Sequence, residues 1–248
     1  MVADPDIRKR CSAGFAAGLA TGTGRRRSVP VDCVEPFSRT AERYRGCGRG
    51  AYGYVRSKLR RDPVHWELLR LAAEDRFGAV VDIGCGRGQL GIALLEAGLA
   101  TSVIGMDCHA AHLAQAERAA AGLAFRARLL NLANGFDIQG ADALLGIDVL
   151  YQLDDDAQRR LLEAVAEAAP RRIFLRLLDP GRGLRSILTV WMERLSRRIS
   201  PHAGRFVNPW PIGRIAACLE AAGYDVTLTP CWRGTPFANV LLDARRRR

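Results

Sequence analysis

The sequence predicts an α/β protein built on a seven-stranded sheet, mostly parallel with an antiparallel final strand, with helices on both faces. Three observations carry this reading. Apolar strand-like runs alternate with helical segments between residues 80 and 178, a pattern that makes a parallel sheet covered on both sides. Val80–Gly91, Val-Val-Asp-Ile-Gly-Cys-Gly-Arg-Gly-Gln-Leu-Gly, reads as a strand, a glycine-rich turn and a helix start. Tyr224–Cys231 and Phe237–Ala244 are strand-like runs joined only by Trp232–Pro236, a connection that permits nothing but an antiparallel hairpin.

The elements follow in order. A helical segment starts near Glu42. Asp62-Pro63 begins another, with Val64, Trp66, Leu68, Leu69, Leu71 and Ala72 at helical spacing. Strands at Val80–Ile83, Ser102–Met106, Phe125–Leu130, Ala143–Ile147 and Arg172–Leu178 alternate with helices at Leu90–Ala97, Ala110–Ala121 and Asp154–Ala168. The acidic first turn of the last of these suits the helix dipole. Ile212–Ala222 is a helix closed by Gly223. The chain therefore divides into a poorly ordered basic extension (1–35), an N-terminal helical cap (36–78), the α/β domain (79–244) and a basic tail (245–248). Residues 183–210, Arg-rich and amphipathic, interrupt the alternation and are placed as a substrate cover.

Composition narrows the class. A chain of 248 residues that is 48% hydrophobic fits one α/β domain with an appended segment. Its net charge of +11 is uneven: +8 over residues 1–62, −7 over 63–170, +7 over 171–205, −1 over 206–244 and +4 in Arg245–Arg248. Basic flanks around an acidic half suit an anionic partner, although the Arg bias (only two of 37 cations are Lys) also fits coding composition. No apolar run approaches the roughly 20 residues that span a bilayer. Phe15–Ala20 is too short and Gly-rich for a signal peptide. Seven cysteines without a C-x-x-C pair point to reduced thiols in a cytoplasmic protein, not to a disulfide or metal framework.

Two cofactors compete for the glycine loop. Gly86-x-Gly88-x-x-Gly91 satisfies the dinucleotide fingerprint, with Asp107 near the distance of a ribose-binding acid, so an NAD(P) oxidoreductase is one alternative. The frame Asp82-x-Gly84-x-Gly86-x-Gly88 instead resembles the first motif of the class I S-adenosylmethionine (SAM) methyltransferases. A carboxylate at Asp82 has little use beside a pyrophosphate, and the final antiparallel strand is the mark of this Rossmann-like methyltransferase fold. Three further segments resemble a bacterial subgroup from aryl-polyene and related polyketide-type pigment pathways. They are Arg56-Ser-Lys-Leu-Arg-Arg-Asp-Pro63, Asp148-Val-Leu-Tyr-Gln-Leu153 and Gly234-Thr-Pro-Phe-Ala-Asn-Val-Leu-Leu242.

The resemblance implies SAM as cofactor. It assigns Gly84, Cys85, Gly86 and Gly88 to the methionine moiety, Asp82 to loop support and Asp107 to the ribose. Cys108 and Asn131 become adenine-side contacts, Asn131 standing where the family usually has an acid. Asp148 and Tyr151 face the methyl-transfer end, Tyr151-Gln152 standing where the subgroup often has His-Tyr, and Trp191 joins the substrate side. It implies an aromatic or polyketide-type acid as acceptor, free or attached to an acidic acyl carrier protein. If the acceptor is a hydroxyl, His202 and Asp179 are candidate bases, with a solvated histidine and a capped Asp179-Pro180-Gly181 turn as the plainer readings. Two other functions remain as alternatives. Nucleic-acid methylation lacks its Pro-Pro-aromatic motif in Ile147–Leu153, and Asn208-Pro209-Trp210-Pro211 falls elsewhere in the fold. A non-catalytic scaffold with the same fold would dock its partner through the Arg-rich surfaces.

Overall fold

A computed structural model of the chain describes residues 34–130, 135–136, 138–181, 183, 191, 207–232 and 238–248. The cap comprises α1 (Val34–Arg43), α2 (Arg49–Arg61) and α3 (Pro63–Glu74). The strands are β1 (Gly78–Ile83), β2 (Ala100–Asp107), β3 (Phe125–Leu129), β4 (Ala143–Ile147), β5 (Arg172–Leu178), β6 (Tyr224–Pro230) and β7 (Asn239–Arg246). Between them run α4 (Gln89–Glu96), α5 (Ala110–Ala119), α6 (Asp155–Ala168) and α7 (Ile212–Ala221). The sheet order is β3-β2-β1-β4-β5-β7-β6, and β7 is antiparallel to both of its neighbours. The predicted fold class is the observed one.

Strand order reverses between β1 and β4. Their carboxyl ends open a crevice there, the usual ligand position in an open α/β sheet. The two sheet faces bury separate cores. One packs beneath the cap and α4, with Phe37, Tyr44, Val55, Leu59, Leu68 and Phe174 among its residues. The other packs beneath α6 and α7, with Leu161, Val165, Trp210, Ile215 and Leu219. Alternation along β5 shows the division: Ile173, Leu175 and Leu177 point to the second core, while Arg172, Phe174 and Arg176 share the cap side.

Two arginines buried within a central strand need partners. Arg172 donates Nε and Nη2 to Asp243 of β7 at 3.0 and 2.7 Å and stacks on Phe174, 4.5 Å from the ring centroid. Arg176 pairs with two carboxylates, described below.

Differences from expectation are local. α1 already begins at Val34, inside the stretch assigned to the basic extension, and residues 1–33 lie outside the described residues. β7 continues to Arg246 because the ladder with β5 and β6 carries Arg245 and Arg246, so half of the expected tail is sheet. Most of the expected cover, 183–210, lies outside the described residues. Its end packs against α6, not over the cap side: Asn208 Nδ2 and Trp210 Nε1 both donate to Asp155, at 2.8 and 2.7 Å. Arg214 covers the Trp210 ring, 3.4 Å from its centroid. Among the described residues no helix is long and apolar enough to cross a membrane.

Candidate active site

The glycine loop hangs from the end of β2. Gly84 and Cys85 donate their amides to the Met106 carbonyl at 2.7 and 3.0 Å, which carries the chain outward between β1 and α4. Gly84, Gly86 and Gly88 all have positive φ, at 70°, 57° and 72°, a conformation that glycine adopts without strain. At Gly84 a side chain would also collide with Val149, whose Cγ2 lies 2.0 Å from the Cβ position. The close approach seats the loop against the segment that follows β4. Gly86 is the opposite case, because a Cβ there would meet nothing within 4 Å. Its face of the loop is open, as a backbone that receives a ligand must be.

Asp107, at the end of β2, closes this cradle. Its Oδ2 accepts the Gly86 amide at 2.8 Å and its Oδ1 accepts the His109 amide at 2.9 Å. The buried carboxylate thus joins two loops at the mouth of the crevice. Asp82, one turn of chain before the glycines, is fully enclosed; burial, reinforced by the Asp107 charge, pushes its carboxyl up to about 8. Cys85 is buried and its thiol is pushed up by burial and then by Asp82 and Asp107, which leaves it no nucleophilic character. Cys108 is exposed beside the cradle, with Sγ 3.2 Å from His109 Nδ1.

The cap clasps this loop from outside. The Tyr44 hydroxyl, fully buried, donates to the Arg87 carbonyl. The Arg87 guanidinium lies over the Tyr54 ring of α2, 4.6 Å from the centroid, and its Nε donates to Gln115 at 2.8 Å.

A second concavity adjoins the loop. Its volume is about 460 Å³, and it is lined by α2, the start of α3, Asp148 after β4, Arg176 of β5, Cys231 and Asn239. At its wall Arg176 donates Nε to Asp148 Oδ1 at 2.7 Å and Nη2 to Asp148 Oδ2, a two-point clamp. Its Nη1 donates to Asp62. Asp62 also caps α3 by accepting the Val64 amide at 3.2 Å and pairs with Lys58 Nζ at 2.8 Å. Burial opposes the charge on Asp62, yet Arg176 and Lys58 hold it well below the usual carboxylate range. For Arg176 and Lys58 burial is likewise overcome, and both are raised by Asp148 and Asp62. Asp148 has φ 62°, which is rare outside glycine and marks a position held by its surroundings. Behind this wall burial drives His65 down to about 4, so it is neutral, and burial raises the Cys231 thiol to about 12.

The structure brings together Asp82, Gly84, Cys85, Gly86, Gly88, Asp107 and Cys108 at the cradle and sets Asp148 beside it. Tyr151 is in the core, 4% exposed, and does not line the cavity. Asp179 accepts the Gly181 amide at 2.9 Å, which is the capped-turn arrangement. Trp191 is 59% exposed. Asn131 and His202 lie outside the described residues. Sequence reasoning passed over Tyr54, Lys58, Asp62 and Arg176 as site residues, although an arginine inside the apolar run Phe174-Leu-Arg-Leu-Leu178 was a visible signal.

Residues 80–170 match the methyltransferase domain family. Over that segment the chain is similar to SAM-dependent methyltransferase domains. The cradle fits that cofactor: an open glycine backbone, a carboxylate at the strand end for ribose hydroxyls, and a buried carboxyl beneath the loop. Solved structures share the fold. Magnesium protoporphyrin IX methyltransferase from Synechocystis PCC 6803 with bound SAH superposes with a TM-score of 0.56 at 18% identity, covering 98% of this chain and 94% of that one. The pyocyanin biosynthetic protein PhzM gives 0.58 at 20% identity, over 83% of this chain and 61% of its own. The methyltransferase domain of bacterial CtHen1 gives 0.57 at 16% identity, over 75% and 98%. At such identities the likeness is one of fold. No curated protein matches the sequence significantly.

The charges of the site make two predictions. The folded chain keeps on Asp82 a proton that the unfolded chain releases near pH 4. Stability from this group is therefore full below about pH 4, declines as pH rises and is gone above about 8. In ligand-free protein the melting temperature of Asp82→Asn, relative to wild type, should climb between about pH 5 and 8; a constant difference contradicts this assignment. Removing Arg176 leaves Asp148 and Asp62, both partly buried, without their shared partner. Arg176→Met should cost about 3–5 kcal/mol in urea unfolding. Adding Asp62→Asn and Asp148→Asn should return part of it, and a triple variant less stable than the single one would refute the pairing.

Proposed function

We propose that the protein transfers a methyl group from SAM to a small-molecule acid, aromatic or polyketide-type, held in the cavity beneath the cap. The observation that carries this reading is the position of the cavity. It shares Asp148 with the end of β4, and the next residue, Val149, packs against Gly84 of the cofactor loop. An acceptor there and a cofactor on the loop would meet at Asp148. Bound SAM supplies an electrophilic methyl on a sulfonium, whose carbon–sulfur bond breaks with the electron pair left on sulfur.

The chain's own residues hold and align. The glycine backbone, supported from beneath by Asp82, receives the methionine end, Asp107 the ribose, and Cys108 with Asn131 the adenine side. Alignment and exclusion of water supply much of the barrier reduction in such a displacement. The cavity contributes three cations, Lys58, Arg61 and Arg176, against Asp62 and Asp148. That excess favours an anionic acceptor.

The finer pigment-pathway reading draws support from convergence. The three segments that carry that resemblance supply Ser57, Lys58, Arg61, Asp62 and Pro63, then Asp148, then Asn239, all lining one cavity. The acceptor would be the free acid or the acid on an acyl carrier protein, whose acidic surface would meet the basic flanks. Nucleic-acid methylation is a second reading, favoured by the net charge and by the fold shared with the small RNA methyltransferase HEN1 at a TM-score of 0.55.

The test is tritium transfer from methyl-labelled SAM to a panel of aromatic and polyene acids, their carrier-bound forms and RNA oligonucleotides. Label should appear in the acids. Asp107→Ala should need roughly ten- to a hundredfold more SAM, as expected for loss of hydrogen bonds to a charged group. Transfer to RNA alone, with binding that falls steeply with salt, would establish the second reading in its place.

A further inference from the structure

Helix α2 carries two stripes. Ala51, Val55 and Leu59, four residues apart, form the buried apolar one, and Val55 and Leu59 pack into the core beneath the cap. Tyr54, Ser57, Lys58 and Arg61, spaced at three, one and three residues, form a polar stripe beside it that lines the cavity. Folding explains the first stripe. It does not explain why the second, with a ring, a hydroxyl and two cations, is turned toward a concavity.

The charges of that cavity are mostly spent. Lys58 is committed to Asp62, and Arg176 to Asp62 and Asp148 together. Arg61 is exposed and makes no ion pair among the described residues. The field at the mouth is therefore that of one uncommitted guanidinium, the fork-shaped donor that matches a carboxylate at two points. Ser57 stands one turn before it with a hydroxyl that makes no hydrogen bond among the described residues, and Tyr54 one turn further. From Tyr54 to Arg61 the stripe runs about 10 Å along the helix axis, the length of a small unsaturated acid.

We infer that Arg61, with Ser57 on the same face of α2, is a docking site for the acceptor's carboxylate. The inference rests on the reading that the cavity receives the acceptor. It also decides between the two acceptor forms: a free acid carries this carboxylate, whereas an acid joined to a carrier as a thioester has lost it. The protein thus acts before loading onto a carrier or after release from one. Arg61 is a specificity residue here, and the methyl-transfer chemistry does not pass through it.

The experiment is calorimetric titration of the full chain, saturated with SAH, using benzoate, 4-hydroxycinnamate and sorbate as probes. Their amides and N-acetylcysteamine thioesters serve as neutral counterparts. Wild type should bind at least one acid, about tenfold or more tighter than its amide or thioester. Arg61→Gln should weaken that acid about tenfold and leave the neutral forms unchanged. Arg61→Lys should recover part of the loss. SAH affinity, measured separately, should be the same in all three proteins. An acid that binds Arg61→Gln as tightly as wild type overturns the inference, as does a thioester that matches its acid or an absence of binding by all three acids. Failure of wild type to bind SAH would instead overturn the cofactor reading, so the two failures are distinguishable.

Discussion

Arg176 joins the parts of this molecule that face the crevice. It rises from β5, grips Asp148 at the end of β4 with two nitrogens and reaches Asp62 at the first turn of α3 with a third. One buried guanidinium thereby ties the sheet's central strands to the cap. Such a charge is costly to bury alone and is tolerated because every neighbouring carboxylate is turned toward it. The consequences spread outward. Asp148 is held at a positive φ, Val149 is set against Gly84, and the helix that carries Lys58 and Arg61 is fixed over the cavity. The cavity wall and the glycine loop are positioned by one network.

The cap is fastened at its other end by contacts to the glycine loop. Tyr44 holds the Arg87 carbonyl, and Arg87 stacks on Tyr54. The residue between Gly86 and Gly88 therefore touches the helix that lines the cavity. Movement of the loop on cofactor binding would be felt at Tyr54 directly. A lining built from ion pairs and one aromatic ring also fits a division of labour under the proposed function: the cofactor would meet backbone and carboxylates, and the acceptor side chains of the cap.

Much of this was legible in the sequence because it is local. The strand–glycine–helix pattern at Val80–Gly91, the capped start at Asp62-Pro63 and the short turn before the last strand each declare themselves within a dozen residues. The structure has the corresponding β1–α4 unit, the Asp62 cap on α3, and β6 paired antiparallel with β7. The charged wall was not legible, because Asp62 and Asp148 lie 114 and 28 positions from Arg176 along the chain. Nothing local says that Arg176 points into the cap side or that Asp148 adopts a left-handed backbone. Tyr151 shows the limit of proximity: three residues after Asp148 in sequence, it turns into the core through a short 3₁₀ turn. The Arg-rich tail misled for a related reason, since the ladder, and not composition, decides where β7 stops.

The central claim is that the cofactor's sulfur end opens onto the cavity walled by Asp148 and Arg176. The most direct measurement is a crystal structure of the full chain with SAH bound. The account predicts ribose hydroxyls on Asp107, the amino-acid moiety against Gly84–Gly88, and the sulfur facing the space between Asp148 and the polar stripe of Tyr54 to Arg61. Sulfur directed away from that space, or SAH bound outside the glycine loop, would contradict it.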